Sequence, residues 1–408
     1  MSTLSQLRAG STGHPIVDLI GEATRAEIFG TVLTAGPISR TALAERLGLS
    51  PSTITRLLPP LMDAGYLCEQ TSRSAGPGRP QRLLSVDVER HLVVGLKIAP
   101  THVAGVVTDM GAQVLARDEV LLDACTPEMA LAASARLTRR LLEPFPDVAR
   151  RLLGVGVGLG GHVDSGLGIC RYSGILGWRD VDVVGPLAAA TGLPVSISND
   201  VNALVVAERW FGKGRDVETF AVVTTGPGIG CGLLLGGTLY TGSTGLAAEF
   251  GHIPLDPAGP KCGCGRRGCL ESLASSGAIL ARLRHAGVEC ADIDAAAALA
   301  RVSTHPGSSA YNDVSCAARG AFAAAGDALG RGLATLCNLV NPSLVIIAGE
   351  GVAFHDLLRP ALDEALAYHG FSTAAADCTV LIDPVNDDLW ARGAACLMIR
   401  ETVRAPLS

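Results

Sequence analysis

Glu249-Phe250-Gly251-His252 and, ten residues on from the histidine, Cys262-Gly263-Cys264-Gly265-Arg266-Arg267-Gly268-Cys269-Leu270-Glu271 form the stretch on which the reading of this chain turns. One imidazole and three thiols fall within a short span. A structural zinc site takes four tetrahedral nitrogen and sulfur ligands, and a Cys3His set in one glycine-rich loop supplies them without long-range closure. The glycines let the backbone wrap tightly around an ion. A disulfide or redox pair fits less well, because Cys262 and Cys264 are too close for an easy bridge and three thiols leave one unpaired. The expected cofactor is therefore zinc, held by His252, Cys262, Cys264 and Cys269.

Two carboxylates, Glu249 and Glu271, flank these ligands without being needed to complete the tetrahedron. The cluster as a whole resembles the signature of the ROK family, whose name joins repressors, open reading frames and sugar kinases. In that family the zinc loop orients a glutamate and the zinc-bound histidine towards a sugar, and a glutamate after the last cysteine also touches it. The resemblance gives those roles to Glu249, His252 and Glu271. Taken singly, either glutamate reads more readily as a solvated surface charge, so the motif carries the assignment.

At 408 residues the chain has room for two or three domains. No apolar run reaches the roughly 18 uncharged residues of a membrane span, and residues 1–12 lack the hydrophobic region of a signal peptide. Twelve cysteines, mostly scattered in apolar or alanine-rich contexts such as Cys231, Cys337 and Cys396, suit buried reduced thiols. These features point to a cytoplasmic protein with no membrane contact.

A net charge of −6 argues against a globally basic nucleic-acid binder, but local sign matters more for phosphate contact. From Arg40 to Arg82 the bases Arg40, Arg46, Arg56, Arg73, Arg79 and Arg82 outnumber the acids Glu45, Asp63 and Glu69. The same region carries three apolar stripes of helical period: Ile28, Val32 and Leu33; Leu43 and Leu47; Ile54, Leu57, Leu58 and Leu61. Between the second and third stands Gly48-Leu49-Ser50-Pro51, in which glycine permits a left-handed turn, serine caps and proline opens the next helix. That is helix-turn-helix punctuation. Ser52, Thr53, Thr55 and Arg56 would then face a major groove. Pro59 and Pro60 predict a kink or an early end of this recognition helix near Leu58.

Two strand-like runs, 66–70 and 81–86, enclose a polar loop and complete a winged helix. The loop ends in Gly76-Pro77-Gly78-Arg79-Pro80, a narrow, extended backbone projecting one guanidinium, which suits an A·T-rich minor groove. A Gly-Arg-Pro wing is a further resemblance to ROK repressors, so Gly78, Arg79 and Pro80 join the DNA-binding candidates.

After a connection near 87–91 the chain repeats one pattern. Apolar runs at 92–98 and 103–107, a turn, and a third run at 113–116 are matched by runs at 220–224, 231–235 and 238–240. Each copy later has a helical stretch and an apolar strand ending in glycine, Leu153 to Gly161 and Leu344 to Gly351. Two similar α/β lobes with a cleft between them follow. This is the actin-like (ribonuclease H-like) sugar kinase fold that the resemblance also implies. The expected domains are a winged helix-turn-helix over 1–88 and a two-lobed sensing domain over 89–408, its zinc loop near 249–271.

The strand end Ser198-Asn199-Asp200 offers an amide and a carboxylate suited to adjacent hydroxyls, and both residue types also make good helix N-caps. The family pattern makes Asn199 and Asp200 sugar ligands and matches Asp200 to the kinases' catalytic base. Phosphoryl transfer also needs a cradle for the nucleotide phosphates. ROK kinases open their first lobe with Asp-x-Gly-Gly-Thr, and this chain has Lys97-Ile98-Ala99-Pro100-Thr101 there. A second glycine-rich loop survives in part as Thr224-Thr225-Gly226-Pro227-Gly228-Ile229-Gly230, and Glu350 adds a negative charge where the resemblance expects nucleotide. The implied protein is no enzyme. It is a sugar-responsive repressor of carbohydrate-metabolism genes that binds a double-stranded operator as a homodimer or homotetramer, with a sugar or sugar phosphate as effector. The competing reading is an active sugar kinase with an accessory DNA-binding domain.

Overall fold

A computed structural model of the chain describes residues 23–71, 82–145, 147–302, 309–383 and 388–403. Its first elements are α1 (Ala23–Ala35), β1 (Ile38–Ser39), α2 (Arg40–Leu47), α3 (Pro51–Leu57), α4 (Pro59–Asp63), β2 (Leu67–Thr71) and β3 (Arg82–Val86). The apolar stripes close one small core: Ile28, Val32, Leu43, Ile54, Leu58, Leu61 and Leu84 are all buried. Gly48 sits at φ +62 and ends α2, while the Ser50 hydroxyl accepts the Thr53 N–H at the start of α3 and Pro51 occupies its first turn. The proline pair ends α3 after two turns. Leu58 remains helical, and Pro59 and Pro60 open α4, where their missing N–H groups leave no helical bond unmade. β2 and β3 pair antiparallel from Leu67↔Val86 to Thr71↔Arg82, and β1 adds to the far edge of β3. Gly78, Arg79 and Pro80 lie outside the described residues.

Compact packing divides the chain into two units, Met1–Asp216 with Asp387–Ser408, and Val217–Asn386. After the winged helix the first unit runs β4 (Leu92–Ile98), β5 (His102–Thr108), β6 (Val114–Leu121), α5 (Pro127–Leu142), α6 (Val148–Arg151), β7 (Leu152–Leu159), β8 (His162–Asp164), β9 (Ile169–Ser173), β10 (Trp178–Asp182), α7 (Val184–Thr191), β11 (Val195–Asn199) and α8 (Asp200–Phe211). Its main sheet has the order β11-β7-β4-β5-β6, with β4, β5 and β6 antiparallel and β7 and β11 parallel to β4. Strands β8, β9 and β10 form a separate antiparallel sheet that the sequence reading did not anticipate.

The second unit contains β12 (Phe220–Thr224), β13 (Gly230–Leu235), β14 (Thr238–Tyr240), α9 (Leu270–Ala274), α10 (Ser276–His285), α11 (Ile293–Arg301), α12 (Ser309–Val340), β15 (Leu344–Ala348), α13 (His355–His369) and β16 (Thr379–Ile382). Its sheet order is β14-β13-β12-β15-β16. Read from β6, the first sheet has the same plan: an antiparallel meander, then two parallel additions beside its first strand. The repeated pattern in the sequence is therefore a repeated topology. Val223, Val345 and Ile347 pack with Phe322, Leu329, Leu358 and Leu362 from the helices α12 and α13 in the core of this unit.

The last helix, α14 (Leu389–Val403), returns to the first unit. Its small residues let it lie directly on the sheet: a side chain at Gly95 would meet the Ala391 carbonyl, and one at Gly156 the Ala394 carbonyl. This close approach carries Trp390 to the end of β4, beside Lys97.

Candidate functional site

The four ligand candidates of the opening stretch converge. One donor atom from each of His252, Cys262, Cys264 and Cys269 lies within 4.8 Å of the others. His252 Nδ1 is 3.5 Å from Cys262 Sγ, and Cys264 Sγ is 3.7 Å from Cys269 Sγ. Zinc–sulfur bonds of about 2.3 Å in a tetrahedron put neighbouring sulfurs about 3.7 Å apart, so the donor set fits a zinc ion in size as well as in kind.

The backbone explains why the loop closes. Cys262 N–H donates to Arg266 O (2.8 Å), Gly265 N–H to Cys262 O (3.0 Å) and Gly268 N–H to Pro260 O (2.8 Å). Gly268 has a positive φ, and a side chain there would strike the Asp256 carbonyl. Hydrogen bonding from the Arg266 backbone N–H holds the Cys264 thiol below its ordinary value, whereas burial raises Cys262 and pushes Cys269 up to about 12. A bound cation would draw all three to thiolates.

Glu271 stands in the first turn of α9, after Cys269. Its Oε2 accepts the Ile229 N–H at 3.2 Å and its Oε1 lies 3.9 Å from Cys262 Sγ. One carboxylate thus joins the Cys3His loop to the glycine-rich loop 224–230. Glu249 precedes the short 3-10 turn Phe250–His252 and follows Ala248, whose left-handed φ of +61 is unusual for a residue with a side chain. The glycine-rich loop is fastened elsewhere too. Ser276 N–H donates to Gly226 O at 2.8 Å, Gly351 N–H to Thr225 O at 2.8 Å, and the Glu350 carboxylate packs against Gly226.

In the first unit, Asn199 and Asp200 occupy the junction of β11 and α8. Asn199 is a helix cap: its Oδ1 accepts the N–H groups of Val201 (2.9 Å) and Asn202 (3.2 Å), and its Nδ2 donates to Gly161 O (3.0 Å). One amide N–H is left for other work. Asp200 is buried, its Oδ1 accepting the Val201 N–H at 2.9 Å while its Oδ2 forms an ion pair with Lys97. Lys97 also lies over the Trp390 ring, 4.7 Å from its centroid. The two charged side chains are 16% and 9% exposed, so solvent screens the pair weakly. Sequence reasoning had each residue but not the pair. Beyond Lys97, the turn Ala99-Pro100-Thr101 is an ordinary hairpin, closed by Ala99 N–H to His102 O at 2.9 Å.

On the winged helix, Ser52, Thr55 and Arg56 are exposed and Thr53 half-buried. All three hydroxyls are engaged at the helix start, since Ser50 Oγ lies 2.8 Å from Ser52 Oγ and 2.9 Å from Thr53 Oγ1, and Thr55 Oγ1 donates to Pro51 O (2.9 Å). Glu69 engages Arg40 at 2.8 Å and Arg82 at 3.4 Å, and Arg46 reaches Asp216 at 3.9 Å. Among the described residues Arg56 has no ion-pair partner, which leaves its guanidinium available.

Comparison with known proteins bears on both parts. Residues 93–401 match the ROK family model, and residues 24–67 match a winged helix-turn-helix DNA-binding model. The chain is 28% identical over 392 residues to a putative xylose repressor of Caldicellulosiruptor sp. (strain Rt8B.4), covering 95% of this chain and 98% of that one. The crystal structure of a ROK family transcriptional regulator, a homologue of the E. coli MLC protein, superposes with a TM-score of 0.78 at 26% identity, covering 96% of this chain and 98% of that one. A ROK family glucokinase from Streptomyces griseus, in complex with glucose and AMPPNP, gives 0.63 at 26% identity, covering 98% of its own length but 75% of this chain.

Proposed function

The chain belongs to the ROK family, and we propose from this that it is a sugar-responsive, DNA-binding transcriptional regulator that represses carbohydrate-metabolism genes. The observation that carries the reading is coverage: the regulator structure spans 96% of the chain, whereas the glucokinase accounts for 75% of it. The added length holds a winged helix with a properly capped recognition helix. Residues 1–88 are taken as the DNA-binding module and 89–408 as the sensing module. Ser52, Thr53, Thr55 and Arg56 would meet the major groove, and Gly78, Arg79 and Pro80 a flanking minor groove.

The sugar ligands are inferred to be Asn199, Asp200, Glu249, His252 and Glu271. With Nδ1 turned to Cys262, the other ring nitrogen of His252 is the one suited to a hydroxyl. Zinc, held by His252, Cys262, Cys264 and Cys269, would supply structural closure of the loop and would fix the histidine tautomer. Phosphoryl transfer is disfavoured by two features. Lys97 engages the carboxylate that would act as base, and Ala99 and Pro100 replace the glycines that would approach a phosphate. Sugar binding then shifts the population between states of different operator affinity. The protein would work in the cytoplasm as a homodimer or homotetramer, with a sugar or sugar phosphate as effector.

The test is fluorescence anisotropy of labelled upstream DNA with the full chain, across a panel of pentoses, hexoses and their phosphates, beside an ADP-release assay with ATP and magnesium. The expected result is operator binding relieved by one sugar class, with no turnover. Sugar-dependent ADP release that disappears in Asp200→Asn would replace the reading with that of an active kinase.

A further inference from the structure

Asp200 and Lys97 neutralise each other, yet neither is saturated by the other. A carboxylate has about four lone-pair sites and an ammonium group has three N–H donors. Asp200 Oδ1 accepts the Val201 N–H and Oδ2 meets Lys97, so each oxygen keeps an acceptor site. Lys97 gives one N–H to Asp200 and lies over the Trp390 ring, and among the described residues it has no other hydrogen-bond or ion-pair partner. At least one N–H therefore remains. There is also room beside Oδ2. Apart from its chain neighbours, a side-chain carbon at Gly160 would meet only Ile175 Cγ2 at 3.4 Å and Asp200 Oδ2 at 3.6 Å. Ile175 is itself 55% exposed, so this opening lies at the surface rather than in the core.

We propose that Lys97 is a contact of the effector, and that it acts with Asp200 to select a free sugar hydroxyl over the phosphate ester of the same sugar. This role rests on Asp200 being a sugar ligand, as proposed above. A hydroxyl has one donor and two acceptor sites, so it can donate to Asp200 and accept from Lys97 at once. A phosphate oxygen only accepts. It can bond Lys97, but it faces the Asp200 carboxylate with no proton to offer. Its charge gains nothing on balance either, because attraction to Lys97 is offset by repulsion from Asp200 at a similar distance. Burial of both side chains leaves little solvent to screen that repulsion. The next ion pair adds no excess charge, since Arg117 meets Asp388, two residues before Trp390, at 3.1 Å. An anion placed here loses hydration without a net countercharge, whereas a hydroxyl loses far less.

Lys97 thus has a part beyond opposing phosphoryl transfer. It makes the carboxylate of Asp200 a reader of an uncharged effector, and the signal ends when another enzyme phosphorylates that hydroxyl.

Calorimetry on the full chain tests this, with glucose, xylose and N-acetylglucosamine as probes, each beside its monophosphate esters. The free sugar that binds should do so at least roughly 10-fold more tightly than its esters. Asp200→Asn leaves Lys97 as an uncompensated cation, so it should weaken the free sugar yet shift the affinity ratio towards the ester by about 10-fold. An ion pair with a purely structural role would lower both affinities alike. Gly160→Ala makes only ordinary contacts, so it should fold and keep the ion pair while filling the space beside Oδ2. It should weaken the free sugar several-fold, and circular dichroism checks that both variants fold. Esters that bind as tightly as the free sugar, or an Asp200→Asn ratio that does not move, would overturn the proposal and leave a sugar-responsive regulator standing. No binding by any probe, with operator binding that none of them relieves, would instead remove Asp200 as a sugar ligand and the role of Lys97 with it.

Discussion

The two units hold their notable side chains by opposite means. In the first, Asp200 is fixed by a lysine 103 residues earlier in the chain, which itself lies over the Trp390 ring, and by the Val201 backbone N–H. In the second, His252 and Glu271 flank a loop that backbone hydrogen bonds close and that brings three thiols and an imidazole together. The sheets beneath share one strand order, so topology does not distinguish the units. The loops do. Where the first unit has the hairpin Ala99-Pro100-Thr101, the second has a glycine-rich loop pinned by Glu271 and Glu350. The first arrangement rests on an ion pair, whereas the second gathers four donor atoms that could hold a metal ion.

Metal removal should break this comparison most visibly. Structural zinc sites in small peptides carry about 10–16 kcal/mol of apparent binding energy, much of it folding energy. Chelation, or Cys269→Ser, should take zinc from one per chain to none and lower the melting temperature of the second unit by on the order of 10 °C. The sugar response should vanish while DNA binding by the winged helix persists. Elemental analysis, calorimetry and anisotropy on one preparation would check it. A wild-type protein that lacks zinc when purified without chelator would remove the basis of the contrast.

The next effect belongs to the first unit and should be indifferent to chelator. Removing one partner of a buried ion pair costs about 3–5 kcal/mol, because the other charge is left uncompensated. Lys97→Met should therefore destabilise strongly in urea unfolding, and Lys97→Met with Asp200→Asn should recover much of the loss. Asp200→Asn alone should impair the sugar response without abolishing DNA binding. If Lys97→Met and the double variant unfold alike, the pair is not what holds Asp200.

How much of this was legible in the sequence depends on the span of each interaction. Gly48, Ser50 and Pro51 act within a few residues, so the recognition helix and its early end before Pro59 could be read directly. The repeated strands could be read because apolar runs recur in the same order. The Lys97–Asp200 pair could not, since nothing local relates residues 103 apart. The bond from Ile229 to Glu271 spans 42 residues and was hidden likewise. The sheet β8-β9-β10 escaped because its strands are three to five residues long and lie among glycines. The sequence suits Asn199 both to a cap and to a ligand, and the fold gives most of its hydrogen-bonding capacity to the cap.

DNA contact sharpens the comparison from the other end of the first unit. Arg56→Ala should cost about 1–3 kcal/mol of operator affinity if the guanidinium reads a base, with relaxed preference at one position. If it meets a phosphate, the loss should be uniform across sequences and the salt slope should fall by about 1. Arg79→Ala should erode preference for A·T-rich flanks selectively. Neither change should alter zinc content. Unchanged affinity in both variants would place the DNA-binding surface elsewhere.

The smallest expected effect tests whether capping chemistry alone sets the recognition helix. The Ser50 hydroxyl accepts the Thr53 N–H at 3.2 Å and orders the Ser52 and Thr53 hydroxyls around it. Replacing an N-cap serine by alanine costs about 1 kcal/mol, and α3 is only seven residues long, so little else holds its first turn. Ser50→Ala should lower stability by that amount and weaken operator binding by several-fold, because the groups it arranges are those that would face the groove. Ser50→Asp should restore stability, since aspartate caps as well as serine. It should not restore affinity, because its charge would repel phosphate. Recovery of both properties in Ser50→Asp would mean that the hydroxyl cluster has no part in DNA contact and that α3 needs only a cap.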